Sequence, residues 1–271
     1  MGVVEELILR YPCRGMDILQ PYMPQDFCQE AAELILSWPR GGTVLLTTGF
    51  YVAGHAETDG PPGTLLLAKA LQMLGFCPVV VTDGLCRGYF ERGGIPCTYV
   101  EPATDEGELA ALLRELAPVG LISVERCGRN EDGEYLNMCG ISIAEHTAPI
   151  DRLFDLADVP SVGIGDGGNE IGMGNLAEQI RKELALIPCR VTVDKLVIAT
   201  VSNWGALGLC ACLGALPAAA EVEEAYLLAQ ELGFVDGVIR ECVLGEDGFA
   251  LDVVRALYRE LVDAPVVCRQ S

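Results

Sequence analysis

The chain has 271 residues and a formal charge of −21, from 39 acidic and 18 basic side chains. A field of that sign repels nucleic-acid phosphates and anionic membrane faces, so both are argued against as partners, and no run of about 18 uncharged apolar residues offers a membrane span. With 51% hydrophobic residues, 6% aromatic residues and 31 glycines, the composition fits an aliphatic α/β core large enough to fold without disulfides.

Taken in chain order, a helix over Gln25–Ser37 precedes a series of short apolar runs that alternate with helical patterns. The runs are Val44–Thr48, Pro78–Thr82, Cys97–Val100, Leu121–Val124, Ser161–Ile164 and Lys195–Val201. Their nearly continuous apolar character is that of strands covered on both faces. Helical patterns fall between them at Gly63–Leu74, Gly84–Glu91, Glu106–Leu116, Pro149–Leu156, Gly174–Leu186 and Ala206–Leu213, with Glu221–Leu232 and Ala250–Val262 behind. The alternation predicts an α/β, three-layer, mostly parallel sheet with crossover helices, Rossmann-like, with residues 1–271 as a single domain. The turns at Glu246-Asp247-Gly248 and Pro39–Gly42 read as ordinary connectors. The irregular stretch Gly128–Ala148 is long enough to cover a site.

The twelve cysteines include no CxxC pair and no zinc-finger spacing, so they read as free thiols of a reducing compartment. The amino terminus has no basic segment followed by an apolar run, which predicts a cytoplasmic protein. Apolar helices leave a homo-oligomer open, although no interface is visible.

In a parallel α/β sheet, ligands bind beyond the carboxyl ends of the strands, and here most strand ends deliver acids beside glycines. The loop Gly165–Gly174 reads GDGGNEIGMG. Gly163, Gly165 and Gly168 match a dinucleotide fingerprint formally, but Asp166 inside the turn opposes a pyrophosphate, and neither NAD nor FAD is expected. Amides of Gly167, Gly168 and Asn169 suit a substrate carboxylate or phosphate, while Asp166 or Glu170 suits an amine, a metal or proton transfer. Glu57 and Asp59 lie two apart in a proline-stiffened loop. They suit a divalent cation such as Mn²⁺ or Mg²⁺, or an ammonium group, or Asp59 simply caps a helix. His55, in the same loop, is a candidate acid–base group, whereas His146 reads as a surface residue. Glu125 follows the strand Leu121–Val124 and is a further candidate catalytic group, with Arg126 and Arg129 after it. Either arginine can grip a carboxylate with two parallel hydrogen bonds or join an internal salt bridge. Ser202 and Asn203 add neutral hydrogen-bonding groups, and Trp204 a flat wall.

Four motifs in order, His55–Gly63, Glu125–Arg129 (ERCGR), Gly165–Gly174 and Ser202–Gly205 (SNWG), resemble the carboxy-terminal catalytic domain of the D-glutamate cyclase family. The stretch from Glu125 to Phe154, with Asn137 and Pro149-Ile150-Asp151, is similar as well, and the resemblance runs from about Thr43 to Gly205. It implies a hydro-lyase that closes D-glutamate to 5-oxo-D-proline and water, with no PLP. That chemistry asks for a base to free the amine, a cation or amide donors for the developing oxyanion, and an arginine for the α-carboxylate. Competing readings are a metal-dependent enzyme acting on a phosphorylated small molecule and a non-catalytic small-molecule binding domain.

Overall fold

The computed structural model describes residues 2–265; Cys268, counted above among the free thiols, lies outside them. Six parallel strands form the central sheet: β1 (Thr43–Gly49), β2 (Cys77–Thr82), β3 (Cys97–Tyr99), β4 (Gly120–Arg126), β5 (Ser161–Gly165) and β6 (Lys195–Ile198). Their order is β3-β2-β1-β4-β5-β6. The chain winds outward from β1 in one direction and then, through β4, in the other. The direction of winding therefore reverses between β1 and β4, where such sheets open a crevice.

Strand residues alternate between two cores. Val44, Leu46, Ile122, Val124, Val162 and Ile164 face the larger one, while Leu45, Val81 and Leu121 face the smaller. The larger layer holds α1 (Val3–Ile8), α2 (Phe27–Leu36), α3 (Pro61–Met73), α5 (Ser202–Cys212), α6 (Ala219–Glu231) and α7 (Leu251–Asp263). The smaller holds α4 (Glu106–Leu116) and the short helix Arg152–Leu156. Two covered faces explain why the strands read as unbroken apolar runs. The capping box of α4, with Asp105 and Glu108 each bonding the other's backbone N–H, explains its sharp start.

Three expected helices differ. Gly84–Glu91 is a 3₁₀ turn, Gly84–Cys86, and then one short helix, Tyr89–Arg92, because the left-handed Gly88 interrupts it. Gly174–Leu186 divides into 3₁₀, α and π pieces (Met173–Leu176, Ala177–Gln179, Ile180–Leu184). The pattern placed at Ala206–Leu213 begins four residues earlier, so Ser202, Asn203 and Trp204 form the first turn of α5. There Asn203 accepts from the amides of Gly60 and Gly63 at 2.9 and 2.7 Å, locking α3 to α5.

Among the described residues, no helix is long and apolar enough to cross a membrane.

Candidate active site

A cavity of about 600 Å³ opens beyond the carboxyl ends of β1 and β4, at the reversal of winding. Its walls come from the segment after β1 (Phe50–Ala53, Glu57), from Glu125, and from the long irregular stretch, including Asn137, Ile143 and His146. Arg14 from the amino-terminal segment, and Arg240 and Asp247 from the segment between α6 and α7, complete it.

Backbone strain marks this place. Eight described non-glycine residues have positive φ, and five of them line the cavity: Arg14, Ala53, Glu125, Arg240 and Asp247. Left-handed backbone disfavours residues with a Cβ, and it persists where surrounding structure demands it. At Glu125 (φ 46°) the turn comes at the last residue but one of β4, beside a register shift between Thr47 and Gly49. It re-aims the carboxylate into the cavity. Gly60 (φ 99°) has to be glycine, since a Cβ there would sit 2.9 Å from that of Glu125.

Beneath the cavity lies a buried nest of carboxylates. Asp59 accepts from the amides of Gly60 and Asn203 at 2.8 Å and of Ser202 at 2.9 Å, so it caps the start of α5. Glu125 accepts from the Ser202 hydroxyl at 2.5 Å. Glu170 accepts from the Gly168 amide at 2.7 Å. Glu246 accepts from the Trp204 indole at 2.9 Å and from the Asn203 amide. Arg14 bridges Asp166, at 2.7 Å, and Asp247. The far oxygens of both, Asp166 Oδ2 and Asp247 Oδ1, are buried without a partner. Oxygens of Asp59, Asp166 and Asp247 lie within 4.8 Å of one another, as do those of Glu125, Asp166 and Glu170. Hard oxygen ligands with two unfilled lone-pair sites fit a divalent cation better than they fit empty space. Glu57, expected as a metal ligand, is in neither group. Its carboxylate packs against Gly237, where any side chain would strike it.

Burial and mutual repulsion move these acids upward together. Glu57, Glu125, Asp166 and Glu246 stand well above the carboxylate range, chiefly through desolvation and then through neighbouring carboxylates. Arg14 pulls Asp166 back. Asp59 is pushed up to about 7, again by burial first and Asp247 second. These acids bind protons more tightly folded than unfolded, so folding stability falls as pH rises from about 4, the unfolded value, through 7 and beyond. Without added divalent cation, thermal unfolding at pH 6 is expected at a higher temperature than at pH 8. Mn²⁺ is expected to stabilise more at pH 8, where the ligands are ionised. A rising profile, with no cation effect at either pH, contradicts the assignment.

Several expected site residues sit elsewhere. Arg126 is fully buried and spent on Gly49 O and Ala148 O at 2.8 Å and Asp83 at 2.5 Å, so its fork is closed to any substrate. Arg129 is held by Asp151 at 2.5 Å and by Asp155. Both arginines are taken by internal salt bridges, Arg126 at the last residue of β4 and Arg129 in the irregular stretch after it. His55 is exposed in the hairpin Tyr51–Ala56 and does not line the cavity, whereas His146 does, stacked on Tyr51 with ring centroids 4.1 Å apart. Asp166 and Glu170 lie one layer beneath the cavity wall; Glu57, Glu125 and Asp247 reach it. In Gly165–Gly174, the amide of Gly168 is taken by Glu170 rather than left for a ligand, and Gly167 packs against the Glu170 carboxylate. Asn169 reaches the cavity with a buried, unpartnered Oδ1. Ser202 and Asn203 position acids and loops from behind. Arg14, Arg240, Glu246 and Asp247 were not anticipated. Glu246-Asp247-Gly248, read as a connector, carries the same pairing of acid and glycine that singled out Gly165–Gly174.

A cavity of small-molecule size at the reversal of winding, over buried carboxylates close enough to share a cation, is the site this α/β fold presents. Residues 4–262 match the family model described as D-glutamate cyclase-like, C-terminal, and the chain belongs to that family. It is 32% identical over 218 residues to the human protein named "D-glutamate cyclase, mitochondrial", covering 68% of this chain and 34% of that one. The chain thus spans about a third of the length of the curated relative it matches. The match extends past Thr43–Gly205 at both ends, taking in Arg14, Arg240 and Asp247.

Proposed function

We propose that the chain, acting as one catalytic domain, closes D-glutamate to 5-oxo-D-proline with loss of water. The family and its human member support the reaction, and the acid nest beneath the cavity carries the reading. In the reaction the N–C bond forms between the α-amine and the γ-carboxyl carbon, one C–O bond breaks, and two protons leave the ammonium for the departing oxygen. That traffic needs groups able both to hold and to release protons near neutrality, and buried carboxyls with raised pKa do so. Glu125 is placed for it: it reaches the cavity, and the Ser202 hydroxyl orients it. Asp59, Asp166 and Asp247 would hold a divalent cation, whose chemistry would be to polarise the γ-carboxylate and neutralise the charge that builds on its oxygens. Arg14 holds Asp166 and Asp247 in place for it. The eleven described cysteines are all free, which supports a reducing compartment.

Purified protein incubated with D- or L-glutamate, with and without Mn²⁺ or Mg²⁺, is expected to form 5-oxoproline from the D enantiomer only, detected by mass. Chelation is expected to abolish it. No product from either enantiomer under any metal sinks the reading.

A further inference from the structure

Two of the described arginines line the cavity, and they are in opposite states. Arg14 is committed to Asp166 and Asp247. Arg240 is exposed, and among the described residues its guanidinium has no hydrogen bond or ion pair. In a chain of charge −21, with Glu57, Glu125, Glu145 and Asp247 on the same walls, an unpaired arginine is unexpected. Its backbone explains how it stays apart. Asp236, fully buried, accepts from the amides of Val238 at 2.8 Å and Ile239 at 2.7 Å with one oxygen. It accepts from Gly248 at 2.7 Å with the other. Its carbonyl takes the Arg240 amide at 2.7 Å, and Arg240 is left-handed at φ 62°. A tight, fully bonded turn thus presents the side chain in a strained conformation, and no protein anion meets it.

We infer that Arg240 is the specificity-determining residue of the cavity, taking the substrate's α-carboxylate in a two-bonded fork. This rests on the cyclase reading and deepens it. The α-carboxylate keeps its charge through the reaction, so a permanently charged guanidinium serves it from substrate to product. The γ-carboxylate loses an oxygen and belongs over the acid nest instead. The site therefore selects amino acids with a free α-carboxylate and discriminates against their α-amides.

The test compares D-glutamate with its α-amide, which keeps the amine and the γ-carboxylate. The wild type is expected to favour D-glutamate in kcat/KM by about 10- to 100-fold, the range of a charge-assisted pair. Arg240→Gln is expected to bring the two substrates within about threefold of each other, mainly by raising KM for D-glutamate, and Arg240→Lys to recover part of the preference. Unchanged melting temperatures are expected, since the guanidinium holds nothing in the fold. A preference that survives Arg240→Gln, or an equal loss on both substrates, overturns the assignment while leaving the cyclase reading intact. A wild type inactive on D-glutamate overturns both.

Discussion

Glu125→Gln is expected to lower kcat for 5-oxoproline formation by about 10³-fold, within the usual range for removing a positioned proton-transfer group, with KM little changed. Glutamine keeps the shape and still accepts from Ser202, which lies 2.5 Å from the Glu125 carboxylate. What it removes is the titratable proton. The same change is expected to raise the melting temperature by about 2–4 °C, since it relieves the repulsion of Glu125 by Glu170, Asp59 and Glu57 in a fully desolvated setting. Loss of activity with a gain of stability is the signature of an acid kept for chemistry at a structural cost. Kinetics and thermal unfolding on the same preparation decide the matter. Full activity removes Glu125 from the proton traffic, and a lower melting temperature makes its carboxylate structural.

Arg126→Met is expected to destabilise the fold by about 3–5 kcal/mol, the cost of leaving one partner of a buried ion pair alone. Arg126 is wholly buried and Asp83 nearly so, and the pair is 2.5 Å apart. Against a total stability of about 5–15 kcal/mol, the single variant is expected to unfold more than about 10 °C below the wild type, or to accumulate in insoluble form. Adding Asp83→Asn removes the orphaned charge and is expected to restore part of the loss, though the carbonyls of Gly49 and Ala148 still lose their donor. A substrate clamp behaves differently: KM rises while the melting temperature holds. That outcome would return Arg126 to the binding residues and take the clamp role from Arg240.

The two experiments separate neighbours in sequence that serve opposite ends. Glu125 and Arg126 are consecutive at the end of β4. One turns toward the cavity through a left-handed φ of 46°, and the other runs into the protein to tie β1, the Asp83 turn and Ala148 together. Reading along the chain, both were polar residues at a strand end, and the arginine fitted a carboxylate grip as well as it fitted a salt bridge.

The sheet and its ligand edge were legible in the order of residues along the chain. Six apolar runs became six parallel strands, because residues covered on both faces must be apolar at every position. Acids beside glycines then marked the carboxyl edge, and Asp59, Glu125, Asp166 and Glu170 do converge there. Which of these acids touch the cavity and which do not line it depends on the packing of distant segments. That packing also brought in Arg14, from before the first strand, and Arg240, Glu246 and Asp247, from after the last. Periodicity carries no information about such residues. They sit in short turns outside any repeating pattern, and their partners are as many as 233 positions away. Their role arises where packing brings the segment before β1 and the segment after β6 to the same edge of the sheet.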